Sequence, residues 1–143
     1  RAKVGWSDFQ CPSCREDFEG QARVHLGTIA AAEEELAHGK DHPAVAAALV
    51  NLARGHLGQG DARQAKEILE RALEIREKWY SMSHIEVAET LDSLADCHAN
   101  LGDTHSAKTM LERALAIKEA HHGCDHHEVA VTLNELGTCH AEL

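Results

Sequence analysis

Three groups of residues in this 143-residue chain have the types and spacing for chemistry. Cys11-Pro12-Ser13-Cys14 places two thiols close enough for both thiolates to reach one tetrahedral zinc ion. A closed site needs two further ligands, and the nearest candidates are His25 and His38, so Cys11 and Cys14 make only half a site. A redox pair would want a βαβ setting that nothing here provides, and two plain cysteines are the simplest reading. His121, His122, Cys124, His126 and His127 bring five donor groups into one short stretch, enough to pick up nickel or zinc in a test tube. His56, His98 and His140 recur at a fixed interval and invite a catalytic or ligand role.

The elements that must position these residues are set by a repeat. The chain lies on itself with a period of 42 residues starting at His42, His84 and His126. Val45, Ala46, Leu49, Leu52, Ala53 and His56 return as Val87, Ala88, Leu91, Leu94, Ala95 and His98, then as Val129, Ala130, Leu133, Leu136, Gly137 and His140. Offsets of three and four draw one apolar stripe along a helix. Gly60-Asp61 returns as Gly102-Asp103 where the stripe lapses; glycine can close a helix in the left-handed conformation and aspartate can cap the next. A second stripe, Ala65, Leu69, Ala72, Leu73 and Ile75, returns as Ala107, Leu111, Ala114, Leu115 and Ile117. Each unit is therefore a hairpin, with helix A near residues 43–59 and helix B near 62–78, and stacked copies bury faces that one hairpin cannot bury alone.

This organisation predicts an irregular N-terminal segment at 1–20 carrying the CxxC pair, a helix of a degenerate preceding unit at 21–41, full units at 42–83 and 84–125, and the first helix of a third unit at 126–143. Leu26, Ala30 and Glu35 fall 42 residues before Ile68, Ala72 and Glu77, which supports the second assignment. The chain begins at Arg1 and ends inside a helical pattern, so both ends read as cuts in a longer polypeptide. Val129, Leu133 and Leu136 are then expected to be partly uncovered, and the uncapped end to self-associate. The register also disposes of two chemical readings. His56, His98 and His140 lie a whole repeat apart, too far for one metal ion, and are expected to pack between helices A and B with one ring nitrogen hydrogen-bonded. The His121–His127 stretch is in phase with Trp79, Tyr80, Met82, His84 and Ile85, which could not ligate together, and reads as an inter-repeat loop.

The pattern Leu49…Leu52-Ala53…His56…Gly60-Asp61…Ala65…Leu69…Ala72 resembles the tetratricopeptide repeat. The long period, Asp41-His42-Pro43 and Ala72-Leu73-Glu74-Ile75-Arg76-Glu77-Lys78 are similar to the subgroup of kinesin light chains and nephrocystin-3-like proteins. The resemblance runs from about Lys40 to Leu143 and implies an all-α fold, a TPR-like α-α superhelix of antiparallel helix pairs. Large aromatic residues of the family pattern are replaced by Leu or His at Leu49, His56, Leu69 and Leu111. The resemblance further implies a protein-interaction scaffold that binds a peptide or protein in a groove lined by helix A. Carried over residue by residue, the groove comprises Val50, Asn51, Arg54, Glu89, Asp92, Ser93, Asp96, Asn100, Asn134, Glu135 and Thr138. Its acidic balance suits a basic partner. Chaperone-binding members clamp a terminal carboxylate with Lys, Arg and Asn, of which this groove has only Arg54 and Asn51 at the matching face; kinesin light chains use basic residues for acidic cargo peptides, which this face does not reproduce.

Composition narrows the classes. The formal charge of −10 argues against nucleic acid and anionic membranes, both of which need clustered Lys and Arg. Protonating all twelve histidines would bring that charge to +2, so it depends strongly on pH. Five cysteines, an odd number, with no signal peptide and no bilayer-length apolar run, suit a reducing, cytoplasmic setting. No Gly-rich phosphate loop, GxSxG elbow or HExxH is present, so the chain is read as non-enzymatic and without a cofactor. The alternative is a zinc-dependent module: Phe9-Gln10-Cys11-Pro12-Ser13-Cys14 resembles one knuckle of a zinc ribbon or RING finger of ubiquitin-ligase type, with the repeats recruiting the target. Zinc content separates the two. Near-stoichiometric zinc in a version extended ahead of Arg1, lost on Cys11→Ser, would establish the zinc module; the scaffold reading expects no such metal.

Overall fold

The computed structural model describes residues 21–142. The Cys11 and Cys14 pair and the segment 1–20 lie outside them. The described residues form six helices and no strand: α1 Gln21–His38, α2 Pro43–Gly58, α3 Ala62–Trp79, α4 Ile85–Asn100, α5 Thr104–His122 and α6 His127–Glu142. Helices α2 and α3 make one hairpin, α4 and α5 the next, α1 packs on α2 as a preceding helix B, and α6 packs on α5 as a following helix A.

Each turn has a local cause. At the A-to-B turns, Gly60 and Gly102 both sit at φ +81°, in the left-handed region. The Asp61 and Asp103 N–H groups reach back to the carbonyls of His56 and His98 at 2.9 and 2.8 Å, while the glycine N–H groups bond Leu57 and Ala99, which closes both helices in a Schellman motif. The aspartates then cap helix B: Asp61 Oδ1 accepts from the Gln64 N–H at 3.2 Å and Asp103 Oδ1 from the Ser106 N–H at 3.1 Å.

The B-to-A turns use histidine, a device the repeat pattern did not reveal. The Nδ1 atoms of His42, His84 and His126 accept from the N–H of Ala44, Glu86 and Glu128 at 3.2, 3.3 and 3.3 Å. Each cap ring stacks on the ring four residues earlier: His42 on His38 at 4.5 Å, His84 on Tyr80 at 4.2 Å and His126 on His122 at 4.1 Å. The histidine-rich stretch, read from the sequence as an inter-repeat loop, spans the end of α5 and the start of α6 and holds a cap and a stacked pair in repeat register.

The core follows both stripes. Ala53, Ala65, Leu69, Ala72, Leu91 and Ala114 are completely enclosed, and Leu52 and Leu94 occupy equivalent buried positions. Alanine at the helix crossings allows close approach while Leu and Ile fill the layers between. At Gly27 an added Cβ would lie 3.0 Å from the Leu52 backbone, so a larger residue there would push α1 and α2 apart by a few tenths of an ångström. The expectation for α6 needs correction. Val129 (1% exposed) and Leu136 (8%) are buried because α5 covers that side of α6, and only Leu133 (49%) is open. One flanking helix suffices for the stripe's inner edge.

Emptying a core position tests this packing. Leu69→Ala and Leu111→Ala should each lose about 2–5 kcal/mol of stability in urea denaturation, whereas Leu36→Ala, on the exposed surface, should change it by less than about 0.5 kcal/mol. Equal small losses at all three would show that the inward face is misassigned.

Candidate peptide-binding cleft

Helix A of each unit turns one polar edge towards an open cleft of about 430 Å³, lined by Arg54 and Leu57 of α2, Glu89, Asp92, Ser93 and Asp96 of α4, Lys118 of α5 and Glu128 of α6. Helical spacing explains the α4 contribution: residues 89, 92, 93 and 96 fall on one face over two turns. Five of the expected groove residues, Arg54, Glu89, Asp92, Ser93 and Asp96, therefore meet in one place.

The remaining expected residues are differently placed. Val50 is only 5% exposed and belongs to the core with Ala30 and Ala31, because α1 covers that side of α2; no ligand can reach it. Ser93 is also buried and its hydroxyl bonds the Glu89 carbonyl at 3.2 Å, so it forms cleft wall and offers no free donor. Asn51 is half-buried. Asn100 and Thr138 are exposed but donate to the carbonyls of Asp96 and Glu135 at 2.8 and 2.7 Å. Asn134 is exposed on α6, and Glu135 beside it is half-buried.

Two buried cations fall on helix B outside the apolar stripe read from the sequence. Arg76, 4% exposed, donates to the Glu86 carbonyl at 2.7 Å and the Thr90 hydroxyl at 2.8 Å, and pairs with the Glu86 carboxylate at 2.7 Å. Lys118, its equivalent one repeat on and also 4% exposed, donates to the Thr132 hydroxyl at 2.8 Å and pairs with Asp92. Each threonine passes a hydrogen bond to the carbonyl four residues earlier, Glu86 or Glu128. A cation leaving helix B thus clasps the next helix A at both joints. The α1–α2 joint has Glu34 and Ala48 at these positions and no such clasp. The recurrence of a basic residue and a threonine at a separation of 14 was the available signal.

The cleft is electrostatically unbalanced. Burial raises the pKa of Glu89, with Glu86 adding to the effect. Burial also raises Asp92, outweighing its hydrogen bond to Lys118, and raises Asp96. Glu135 is raised by burial and by the charges of Asp92 and Asp96. Lys118 is held by Asp92 and Thr132, and Glu89 has only a long 3.8 Å contact with Arg76. Asp92 Oδ1 is buried with no hydrogen-bond partner.

The other chemical candidates resolve into structure. His98 is buried, and its Nδ1 lies 3.2 Å from Asp103 Oδ2, so an Nδ1–H donates to the same carboxylate that caps α5. At His56 the matching distance to Asp61 is 3.9 Å and Nδ1 is left without a partner, while His140 is exposed; only one of the three meets the expectation of a hydrogen-bonded ring. Partial desolvation, then the nearby His126 and His121, lower the pKa of His122, which favours the neutral ring in its stack. Burial pushes the Cys97 thiol up to about 11, which keeps it an unreactive packing residue. Among the described residues no three His, Cys, Asp or Glu groups converge on a metal position, and no helix is long and apolar enough to cross a membrane.

A tetratricopeptide repeat family model matches residues 20–78 and 86–143. The chain belongs to the tetratricopeptide repeat family. The family is a scaffold fold without an enzymatic centre of its own. Among solved structures, the kinesin light chain-type, nearly identical TPR-like repeats of Podosopora anserina align at TM-score 0.77 and 24% identity, over 83% of this chain and 56% of theirs. A single-substitution variant of those repeats aligns equally well. BtubC (BKLC) from P. vanneervenii aligns at TM-score 0.76 and 21% identity, over 83% of this chain and 48% of that one. The fold is therefore kinesin light chain-like, and the chain spans about half the length of these neighbours. No curated protein matched.

The clasp gives a direct test. Lys118→Ala should cost about 3 kcal/mol, since it leaves Asp92 half-buried without its cation, and Lys118→Met with Asp92→Leu should recover most of the loss. Equal stability of Lys118→Ala and the parent would show that the joint does not depend on the ion pair.

Proposed function

We propose that this chain is a protein-interaction scaffold whose cleft takes a basic peptide segment. The observation that carries the reading is a set of carboxylates from two successive units, half-buried Glu89 and Asp92 and exposed Asp96 on α4 and half-buried Glu135 on α6, all with raised pKa. A carboxylate is raised when its charge is poorly compensated, and a Lys or Arg side chain entering the cleft supplies that compensation. Of the two cations lining the cleft, Lys118 is already paired with Asp92, which leaves Arg54. Amide and carboxylate groups along α4 and α6 can also hold a peptide backbone. An adaptor role like that of kinesin light chains fits the fold, with the ligand charge reversed.

A labelled peptide alternating Lys and Ala, compared with its Glu and Ala counterpart, tests the charge preference. The basic peptide should bind at least about tenfold more tightly, and Glu89→Lys with Asp96→Lys should remove the difference. Asp92 is left intact because its loss would break the Lys118 clasp. Equal binding of both peptides, or a preference that survives the double reversal, would overturn the reading.

The pH dependence follows from the same shifts. Raised carboxylates take up protons at higher pH than ordinary ones, so on acidification affinity for the basic peptide should begin to fall before exposed carboxylates titrate. Stability carries the opposite sign. The folded state binds more protons than the unfolded state between the ordinary and the raised values, so these groups contribute a stability that declines as pH rises through that window. Affinity that is flat over the same range, measured by fluorescence anisotropy, would count against the cleft carboxylates as the binding groups.

A further inference from the structure

Each joint at which helix B hands over to helix A holds a pair of stacked rings, and the pairs differ. The capping rings are alike. Nδ1 of His42, His84 and His126 accepts from a backbone N–H two residues on, which requires a neutral imidazole with its proton at Nε2. The backing rings are not alike: His38 lies against His42 with planes 21° apart and His122 against His126 with planes 12° apart, whereas His84 lies against Tyr80. The α1–α2 and α5–α6 joints therefore stack imidazole on imidazole, and the α3–α4 joint stacks imidazole on phenol.

The charges around each pair decide what a proton does there. At α1–α2 the Glu34 carboxylate of α1 lies 3.5 Å from His38 Nε2, Lys40 and Asp41 precede His42 in the turn, and α3 contributes the uncharged Trp79 ring, 5.3 Å from His42. At α5–α6, His121 meets His122 at 4.5 Å, the Glu128 carboxylate of α6 lies 3.9 Å from His122 Nε2, and Lys118 of α5 adds positive charge. One nearby glutamate thus serves two imidazoles at the first joint and three at the second. At α3–α4, Arg113 of α5 donates to the Met82 carbonyl and Glu86 of α4 is paired with Arg76 of α3. A protonated His84 meets the face of Tyr80, and an aromatic face attracts a cation.

We infer that the joints form a graded acid-sensitive device, in which acidification loosens α1–α2 and α5–α6 at their caps while α3–α4 holds. Two effects add at the sensitive joints. An imidazolium has no lone pair at Nδ1, so a protonated cap drops its hydrogen bond, and two stacked imidazoliums repel each other. Histidine changes charge between about pH 5 and 8, which sets the window. Partial desolvation, then His126 and His121, hold His122 below the ordinary histidine value, so it binds fewer protons folded than unfolded. Its contribution to stability is present above the ordinary value and is lost as pH falls through the lowered one. Glu128 of α6 lines the cleft, so loosening α5–α6 moves one cleft wall, although the device itself lies in the turns and needs no ligand.

Nuclear magnetic resonance on the intact, 15N-labelled chain without peptide tests this joint by joint. Two-bond proton–nitrogen spectra at about pH 7.5 should show His42, His84 and His126 protonated at Nε2. Val45 and Ala46 donate to the His42 carbonyl, Val87 and Ala88 to His84, and Val129 and Ala130 to His126, so these amides report the first turn after each cap. Between about pH 7.5 and about pH 5.5, exchange protection corrected for the intrinsic pH effect should fall at least about fivefold at Val45, Ala46, Val129 and Ala130, and no more than about twofold at Val87 and Ala88. His126→Asn, whose side-chain oxygen caps without titrating, should keep Val129 and Ala130 protected at both pH values. Tyr80→His should bring the loss to Val87 and Ala88. An Nδ1–H tautomer at the caps, equal changes at all three joints, an undiminished fall in His126→Asn, or no new loss in Tyr80→His would each overturn the inference.

Discussion

A two-helix hairpin has two apolar sides and can bury only one of them within itself, so every unit depends on its neighbour to finish its core. Leu69 is enclosed because α2 and α4 lie on either side of α3, and Leu91 because α3 and α5 flank α4. This requirement makes stability a property of joints as much as of units. It also accounts for α6: one flanking helix encloses Val129 and Leu136 while the opposite edge, at Leu133, stays open.

The joints are where polar groups enter the interior. Arg76 and Lys118 are taken out of water at the end of helix B, and burying a cation is costly unless charge and hydrogen bonds meet it. Each is met by a carboxylate and by a threonine of the next helix A: Glu86 and Thr90 of α4 for Arg76, and Asp92 of the preceding α4 with Thr132 of α6 for Lys118. An apolar contact alone would leave the two helices free to slide, whereas a guanidinium or ammonium bonded to a hydroxyl sets one register. The same arrangement decides which cleft carboxylates remain open to a ligand. Asp92 is committed to holding Lys118, and Glu89 and Asp96 line the cleft with raised pKa values.

Histidine carries much of the turn chemistry. A neutral imidazole presents a lone pair at Nδ1 and a flat face, so it can cap a helix and stack in the same geometry, which serine or aspartate cannot do. His42, His84 and His126 use both properties. Buried His98 uses its Nδ1–H instead, giving a hydrogen bond to Asp103. Residues that look like metal ligands in a linear reading are spent on the turns of the repeat.

The sequence by itself determined the repeat length, the helix class and the A-to-B turns, because a periodic apolar stripe and a Gly-Asp pair act through local geometry over three or four residues. Leu49, Leu69 and Leu111 could be placed inside for that reason, and Glu89, Asp92 and Asp96 on one edge of a helix. Only the tertiary structure decided which polar residues are buried. Arg76 and Lys118 lie outside the apolar stripe and are buried only because the next helix closes over them, and Val50 looks like an open groove position until α1 covers it. Burial and charge pairing are set by contacts between helices tens of residues apart, and a single strand of sequence carries the period of those contacts but not their partners.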